Sequence, residues 1–363
     1  MLKQVIIRMK KKILITGGCG FVGSSLALAF KGKYPDCEIF AFDNLKRRGS
    51  ELNILRLKEA GIEFIHGDLR NKEDLEIPGK IDLIIDAAAE PSVLAGLNNS
   101  SDYLIHSNLN GTINCLGLAK KTGADFLFIS TSRVYPIADI EEIAYYETDS
   151  RFEISDKQNI NGVSLNGISE SFPIEKSRSL YGATKLSSEL FVKEYGALFG
   201  IRTIINRCGV LTGPWQMGKV DQGVIVLWAA RHFWKGRLGY FGYGGEGKQV
   251  RDILHIQDYF ELVDYQVNHI DTLNGETFNV GGGREISVSL KELTKLCEDI
   301  SGNKIEIEKI SENRQADIRI YISDNTKVTQ ATGWRPKTSA EKIIEDIYLW
   351  VREHQLEIKH ILN

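Results

Sequence analysis

The stretch ILITGGCGFVGSSLALAF, residues 13–30, constrains the fold of this 363-residue chain more than any other. An apolar run predicts a buried strand, and Gly17, Gly20 and Gly23 follow it before a helical pattern begins. In such a unit one glycine makes the tight turn, another lets the backbone approach a pyrophosphate, and the third lets the helix pack on the strand. The pattern predicts a dinucleotide site at the N-terminus of the helix, where free backbone N–H groups face phosphate.

Short apolar runs alternate with helical patterns through the first half of the chain. We predict strands at residues 12–16, 38–42, 63–66, 83–86 and 126–130, and helices at 23–30, 107–121 and 181–199. Strands that alternate with helices indicate a parallel sheet covered on both faces. The predicted fold class is α/β, with a Rossmann-type, doubly wound parallel sheet.

A second, smaller region is indicated after residue 207, where GPWQMGKVDQG and GRLGYFGYGGEGKQVRD predict irregular loops around a ligand. Amphipathic patterns at 288–300 and 340–354 flank the strand-like KIEIEKI. The stretches RDILHIQDYFELV and TFNVGGG have the pattern of returns to the first region. We therefore assign residues 11–206 and 254–284 to a dinucleotide-binding domain, and 207–253 and 285–356 to a discontinuous α/β substrate lobe.

Composition excludes several function classes. A net charge of −3 gives no electrostatic attraction for nucleic acid or an anionic membrane. The five cysteines include no CxxC pair and no His/Cys cluster, so we expect no metal site and a reducing compartment. No signal-peptide pattern or membrane-spanning apolar run is present. We expect a cytoplasmic protein with neither nucleic acid nor membrane as a partner.

Asp43 sharpens the dinucleotide prediction, because it ends the next predicted strand about 20 residues beyond Gly23, where a ribose-binding carboxylate is expected. A carboxylate there accepts hydrogen bonds from ribose hydroxyls and repels a 2′-phosphate, which favours NAD over NADP. The basic triplet of Lys46, Arg47 and Arg48 contacts a phosphate or forms a solvated turn. The candidate cofactor-binding residues are Gly17, Gly20, Phe21, Val22, Gly23, Asp43, Asn44, Lys46, Arg47, Asp68, Leu69, Ala87, Ala88, Ala89, Asn108, Tyr181 and Lys185.

Tyr181 and Lys185 stand four residues apart at the start of a predicted helix, which places the phenol and the ammonium on one face. A free phenol has a pKa of about 10 and is a poor base at neutral pH. A nearby ammonium and a positive nicotinamide ring both favour the phenolate. The pair is therefore a candidate for proton transfer beside the dinucleotide.

The glycine motif, Asp43, ISTSRVY and YxxxK occur here in the order found in one family. Together with GKQVRDILHIQD, TFNVGGG, NRQADIRIYISD and TGWRPKTS, they resemble the extended short-chain dehydrogenase/reductase family, whose members act on nucleotide-sugars. The resemblance implies an NAD-dependent enzyme with a nucleotide-sugar substrate. It also implies a homodimer or a dimer of dimers, paired through the helices at 107–121 and 181–199.

The resemblance assigns a role to Thr131, which lies four residues before Tyr135, at the position of the hydroxyl that hydrogen-bonds the reacting sugar. Thr131, Tyr181 and Lys185 are the implied catalytic residues. In the family's 4,6-dehydratases the next two positions hold Asp and Glu, the acid and base of water elimination. Here they are Ser132 and Arg133, which disfavours dehydration.

Within the family, ITGGCGFVGS, FDNLKRRG, HGDLRN, VDQGV and GEGKQVRDILH most resemble the CDP-sugar C2 epimerases of the paratose and tyvelose type. That implies transient oxidation to a keto-sugar, with tightly held NAD regenerated in each cycle. The candidate substrate-binding residues are Ser132, Arg133, Gln222, Lys248, Arg251 and Arg314. Other possibilities remain open: a UDP-sugar 4-epimerase, a decarboxylase, a reductase that exchanges its cofactor, or a dinucleotide-binding sensor.

Overall fold

The computed structural model describes residues 11–77, 79–97, 100–218 and 222–362. The strands are β1 (Lys12–Thr16), β2 (Glu38–Asp43), β3 (Glu63–His66), β4 (Leu83–Asp86), β5 (Asp125–Thr131), β6 (Tyr145–Glu147), β7 (Phe152–Ile154), β8 (Val163–Ser164), β9 (Gly167–Ile168), β10 (Thr203–Cys208), β11 (Val210–Thr212), β12 (Leu238–Phe241), β13 (Val250–His255), β14 (Glu276–Val280), β15 (Ser287–Ser289), β16 (Ile307–Ile310) and β17 (Ile320–Tyr321). The helices are α1 (Phe21–Lys33), α2 (Asn53–Glu59), α3 (Asp102–Ile105), α4 (Gly111–Thr122), α5 (Ile137–Glu141), α6 (Leu180–Phe199), α7 (Val224–Trp234), α8 (Ile256–Asn268), α9 (Ile270–Leu273), α10 (Leu290–Ser301), α11 (Thr326–Thr332), α12 (Ala340–Glu353) and α13 (Gln355–Leu362).

Seven parallel strands form the central sheet in the order β14-β10-β5-β4-β1-β2-β3. The chain runs outward from β1 through β2 to β3, then returns to lay β4 on the other side of β1. This reversal makes a crevice at the carboxyl ends of β1 and β4, which is where open α/β sheets bind ligands. The predicted fold class is confirmed, and the five predicted strands agree with the structure to within one residue at each end.

Burial on both faces of the sheet explains why these apolar runs become central strands. In β1, Ile13 and Ile15 pack on one face of the sheet with α1 and α8, whereas Leu14 packs on the other face with α4. Because helices cover both faces, polar residues are found mainly where the strands end. The helix predicted at 107–121 begins earlier than expected, with α3, and passes through a π-helical turn at His106–Asn110 into α4.

A separate apolar core lies among α7, α10 and α12. Helix α7, whose run VIVLWAARHFW is buried on most sides, lies between the two stretches predicted as irregular loops, and β12 corrects the second of these stretches. The helix predicted from residue 288 begins at Leu290 instead, since Ser289 forms a capping box with Glu292. Of KIEIEKI, only Ile307–Ile310 is a strand, and it pairs in parallel with β12.

Strand β13 corrects part of the expected return to the first region. RDILH pairs with β11, β15 and β17 in a small sheet, and the chain rejoins the central sheet only with β14. Helix α8 does pack on α1. In the part of the chain that the structure describes, no helix combines the length and the apolar composition needed to cross a bilayer.

Candidate active site

The glycine turn after β1 is too closely packed for side chains. Gly17 has a φ of +61°, and a Cβ there would lie 2.9 Å from the Ala88 Cα. A Cβ on Gly23 would lie 2.2 Å from the carbonyl oxygen of Gly17, so this glycine lets α1 start directly against the turn. A Cβ on Gly20 would meet only the Gly17 oxygen, at 3.1 Å, because its other side faces a cavity.

A smaller cavity of about 270 Å³ lies along the carboxyl ends of β1, β2 and β4. Asp43 lines it and is held by backbone donors, since its Oδ2 accepts from Cys19 N at 3.0 Å and its Oδ1 from Leu45 N at 2.7 Å. Burial raises the pKa of Asp43, and these N–H donors act in the opposite direction. Other sequence-predicted residues share the cavity: Gly17, Gly20, Asn44, Lys46, Arg47, Asp68, Leu69, Ala87, Ala88 and Ala89.

Asp68 is fixed at the edge of the smaller cavity by its neighbours. Arg70 donates to both of its carboxylate oxygens, at 3.0 and 2.7 Å, and Asn44 Nδ2 donates at 3.1 Å. The hydrogen bonds from Arg70 are the main reason why the pKa of Asp68 falls to about 2. Asp68 is therefore a permanent anion whose position is set before any ligand arrives.

Two buried polar atoms on the wall of the smaller cavity have no hydrogen-bond partner among the described residues. They are Ser107 Oγ and Gln222 Nε2. Buried polar atoms are nearly always satisfied, so such groups indicate a ligand. Together with the glycine turn and Asp43, they fit a dinucleotide. Ser107 was not among the predicted site residues, because a lone serine at a helix start carries no sequence signal.

Asn108 lies in the π-helical turn before α4 and does not line either cavity. It is fully buried, accepts from Glu90 N at 2.7 Å, and donates to Glu90 O and to Thr184 Oγ1. Its side chain thus ties the loop after β4 to helix α6. It holds the cavity wall from behind rather than facing a ligand.

A larger cavity of about 700 Å³ continues from the glycine turn to the second apolar core. Phe21, Val22, Thr131, Ser132 and Tyr181 line it near the central sheet. Thr131 ends β5, and its hydroxyl lies close enough to the phenol of Tyr181, at the first turn of α6, to lower the pKa of that phenol. The structure thus brings together two of the three predicted catalytic side chains on this wall.

Lys185 lies beneath this wall and is not among the residues that line the cavity. It is 2% exposed, with its Nζ 3.9 Å from the centroid of the Phe128 ring. Burial lowers the pKa of Lys185 to about 8, while the carboxylates of Asp86 and Glu189 act to raise it. With a pKa of about 8, most of the Lys185 amine is still protonated at neutral pH.

The electrostatics of Tyr181 differ from the expectation. Burial raises its pKa to about 12, whereas the neighbouring Thr131 hydroxyl and the charge of Arg133 lower it. Arg133 is half-buried in the cavity wall, this burial lowers its pKa to about 10, and its Nη1 donates to Ala316 O at 3.1 Å. Arg133, which brings a positive charge near the phenol, lies in the short turn Ser132–Val134 that follows β5.

Arginines dominate the far wall of the larger cavity. Arg251 donates to Asp317 Oδ1 at 2.9 Å, and the guanidinium of Arg314 lies 3.6 Å from the centroid of the Phe241 ring. Gln222 accepts a hydrogen bond from Arg47, whose Nη2 also donates to Met217 O at 2.7 Å, and both residues line the two cavities. The predicted Lys248 is not part of this wall, because its Nζ pairs with Glu147 at 2.6 Å.

Comparisons with known proteins agree with this geometry. Residues 13–281 match the model of the NAD dependent epimerase/dehydratase family. The chain belongs to this family. CDP-paratose 2-epimerase of Salmonella typhi is 33% identical over 93% of this chain and 98% of its own length.

Solved structures share the fold of this epimerase/dehydratase family member. UDP-glucuronic acid 4-epimerase from Bacillus cereus, in complex with UDP-glucuronic acid and NAD, gives a TM-score of 0.77 at 24% identity, covering 94% of this chain and 99% of its own. The dTDP-glucose 4,6-dehydratase from Bacillus anthracis, in complex with NAD, gives 0.74 at 23% identity, covering 95% and 98%. The family predicted from the motifs is confirmed, and the chain is an enzyme whose cofactor is NAD.

Several residues of the family member's site were missed from the sequence. Arg231, Arg237 and Gln249 line the larger cavity. Nε2 of Gln249 donates to Phe241 O, which leaves its buried Oε1 without a partner among the described residues. Arg231 comes from α7, and Arg237 and Gln249 stand immediately before β12 and β13, where no motif spacing marks them.

A buried ion pair behind Tyr181 was missed as well. Glu189, two turns further along α6, accepts from Arg207 Nη2 at 2.7 Å and from Ser130 Oγ at 2.5 Å. Arg207 also donates to the hydroxyl of Tyr135 at 3.2 Å. The spacing Tyr181, Lys185, Glu189 places all three on one helical face, which is the signal that could have revealed the pair.

Proposed function

We propose that this enzyme is a nucleotide-sugar epimerase that oxidises a sugar carbon transiently, with a CDP-sugar as substrate and C2 as the reacting carbon. The observation that carries the proposal is the placement of Thr131 beside Tyr181 on the wall of a cavity that reaches both the glycine turn and Arg251. The 33% identity to CDP-paratose 2-epimerase over nearly the whole chain supports the choice of substrate.

Tyr181 acts as the base and then as the acid. When bound, NAD⁺ supplies a hydride acceptor and a positive ring charge beside the phenol. The Tyr181 phenolate accepts the proton of the sugar hydroxyl, while Thr131 hydrogen-bonds that oxygen. After the keto-sugar has presented its other face, Tyr181 returns the proton and the carbon is restored with inverted configuration.

The charges around the phenol support this role. Burial alone would keep Tyr181 protonated at neutral pH, since it raises the pKa to about 12. Proton acceptance therefore needs cations near the phenol, and Arg133 is one that the chain itself provides. Arg133 also occupies a position where water elimination would need a carboxylate, so the same side chain that assists oxidation disfavours dehydration.

Arg251 and Arg314 are proposed to hold the diphosphate, because guanidinium groups match phosphate oxygens with two parallel donors. Both line the larger cavity. Each already has a protein contact, Asp317 for Arg251 and the Phe241 ring for Arg314, so neither must be ordered anew when substrate binds. Ser132 and Gln222 are proposed to contact the substrate from the same cavity.

A turnover assay without added cofactor tests the proposal. The purified protein is incubated with CDP-, UDP- and GDP-sugars, and the products are separated and their stereochemistry determined. Epimerisation of a CDP-sugar at C2 by the resident NAD is expected. A requirement for added NAD or NADH would instead support a net dehydrogenase or reductase, and exclusive conversion of a UDP-sugar would support a 4-epimerase.

The variant Tyr181→Phe tests the mechanism, with Tyr195→Phe on the same helix as the control. Loss of the phenol should lower kcat by about 10³-fold, within the range for a general acid–base group. Tyr195 lies more than three turns away and packs on Phe199, so its variant should retain full activity. Unchanged turnover in Tyr181→Phe would refute the mechanism.

Helix α6 also supports a proposed homodimer or dimer of dimers. Its outer surface exposes Leu190, Phe191, Leu198 and Phe199, with exposed fractions between 41% and 69%. An apolar helix face of this kind favours association. Sedimentation of the wild type and of Leu198→Glu tests the proposal, which fails if both sediment as monomers.

A further inference from the structure

A sequence of contacts leads away from Tyr181 along the larger cavity. Arg133 lies near both Tyr181 and Arg251, since each of these groups influences its pKa. Beyond them, the guanidinium of Arg314 stacks on Phe241 of β12. A nucleotide-sugar whose sugar meets Tyr181 and whose diphosphate meets the arginines would carry its base toward β12 and β16.

The two-stranded sheet of β12 and β16 presents one face to the cavity at this end. Gly239 and Phe241 are two residues apart in β12, hence about 7 Å apart on the same face, and both line the cavity. Glu308 of β16 is the register partner of Gly239 and lines the cavity too. A Cβ on Gly239 would lie 3.0 Å from the Phe241 ring, so the glycine leaves room for that ring beside Glu308.

The charge of Glu308 is unusual for its surroundings. Among the described residues, the carboxylates that line the larger cavity are Glu308 and Asp317, against arginines at six positions: 47, 133, 231, 237, 251 and 314. Asp317 is paired with Arg251. Glu308 has no hydrogen bond or ion pair with another described residue, and the same holds for Arg237, which precedes β12 and lies two residues before Gly239, the register partner of Glu308.

We propose that Glu308 and Arg237 select a cytosine base at this end of the cavity, an inference that rests on the proposed nucleotide-sugar function. Cytosine presents an exocyclic amino donor beside ring acceptors, and a carboxylate is the side chain that accepts from that amine. Arg237 supplies the donor for the ring acceptors. Uracil and thymine place a carbonyl oxygen where cytosine has its amine, so Glu308 would face an acceptor with no proton between them.

Binding of nucleoside diphosphates isolates the base from the sugar chemistry. CDP, UDP and GDP are titrated into the purified holoenzyme by calorimetry, for the wild type, Glu308→Gln and the control Glu306→Gln. Glu306 is exposed, two residues away along the same segment, and does not line the larger cavity. We expect the wild type to bind CDP about 10-fold or more tightly than UDP, the range of a hydrogen bond to a charged group.

Glu308→Gln should reduce that ratio to about 3-fold or less, mainly by weakening CDP, while Glu306→Gln should keep the ratio of the wild type. The inference is overturned if the wild type binds UDP or GDP as tightly as CDP, if it binds none of the three, or if Glu308→Gln leaves the ratio unchanged. Because the diphosphates contain no sugar to oxidise, a protein that epimerises a nucleotide-sugar yet fails this test loses only the base assignment. A CDP preference that depends on Glu308 without epimerisation would instead refute the proposed function alone.

Discussion

The two walls of the larger cavity are formed by different kinds of groups. On the cofactor side, backbone atoms and small residues meet at contact distance, so that a Cβ on Gly17 or Gly23 would lie 2.9 Å or less from another main-chain atom. On the opposite side, long arginine side chains contact a carboxylate or an aromatic ring. Arg251 pairs with Asp317, and Arg314 lies over the ring of Phe241. The first wall has no room for change, whereas the second can exchange partners.

This difference indicates which wall of the cavity can vary in its specificity for a ligand. A cofactor shared across a family needs an invariant backbone surface, which close packing provides because interiors transmit even small volume changes. A substrate that differs among relatives needs donors and acceptors that can be replaced one by one. The two walls should therefore respond differently to substitution.

Gly23→Ala should have the largest effect on the bound cofactor, because it adds an atom to the rigid wall. The new Cβ would lie 2.2 Å from the Gly17 oxygen, so either α1 or the turn must move. We expect the variant to lose bound NAD and to unfold with a free energy lower by about 1–3 kcal/mol or more, as overpacked cores do. Cofactor content after purification and urea unfolding measure the two effects.

Gly32→Ala provides the matched control in the same helix. A Cβ at Gly32 would have no neighbour within 4 Å, and the residue is exposed. This variant should keep its NAD and gain about 0.5–1 kcal/mol of stability from the better helix propensity of alanine. If both variants behave alike, close packing does not govern the cofactor wall.

The same contrast explains what the sequence could reveal. Residues 12–16, 63–66 and 83–86 were predicted as strands with the observed bounds, because central parallel strands are continuous apolar runs. The glycine turn and Asp43 were recognisable because their contacts lie within one βαβ unit of the chain. Lys248 and Gln249 show the limit, since which of two adjacent polar side chains faces the cavity depends on partners far away in the chain, Glu147 for the former.

Helix α7 and the orientation of the Asn108 side chain could not be recognised from the sequence, for related reasons. The run at Val224–Trp234 is apolar on most sides because it is enclosed by α10 and α12, so it lacks the periodicity of a surface helix. Asn108 was placed in the cofactor site by its position in the chain, but its amide is already satisfied by Glu90 and Thr184. Local sequence gives the type of residue, and tertiary contacts decide which way it faces.

Glu189→Gln tests whether the buried ion pair of Glu189 and Arg207, behind the cofactor-side wall, is as rigid as the glycine turn. Arg207 would be left buried without its carboxylate partner, and breaking a buried pair in this way costs about 3–5 kcal/mol. We expect that loss in urea unfolding. Since the Glu189 carboxylate raises the pKa of Lys185, its removal should also move the alkaline limb of the kcat profile to lower pH.

The pH profile separates positioning from mere stability. A variant that is destabilised but keeps the alkaline limb of the wild type would show that Glu189 acts only as a structural ion pair. Full stability in Glu189→Gln would show that Arg207 finds another acceptor, and that the wall behind Tyr181 is less rigid than the glycine turn. Replacement of both partners, as Glu189→Leu with Arg207→Met, should recover most of the stability.

Asp252 lies where the two regions join, and its ionisation should make stability depend on pH. It is fully buried, accepts from Gly283 N and Ser323 N, and has a pKa raised to about 6 by burial. The folded protein therefore holds this proton more tightly than the unfolded chain does. The contribution to stability is complete below about pH 4 and is lost as the pH rises through 6.

Urea unfolding between pH 4 and 7 measures this contribution. The wild type should lose about 2–3 kcal/mol from this group over the range, and Asp252→Asn should flatten that part of the profile. If the free energy of unfolding of Asp252→Asn shows the same slope against pH as that of the wild type, Asp252 does not titrate in this range. Its backbone donors then stabilise its charge as well as water does.

Lys248→Ala should have the smallest effect on substrate binding. It therefore marks the limit of the adjustable wall, which is the side of the larger cavity that carries Arg251 and Arg314. Its ammonium pairs with Glu147, a residue that is more than half exposed, and such pairs contribute about 1 kcal/mol or less. KM for the nucleotide-sugar should change by less than about 2-fold, whereas Arg251→Ala, three residues along, should raise it by about 10-fold or more through loss of a charged hydrogen bond to the diphosphate. A large KM effect at Lys248 would mean that the ion pair with Glu147 opens on substrate binding, and that the adjustable wall reaches further than the larger cavity.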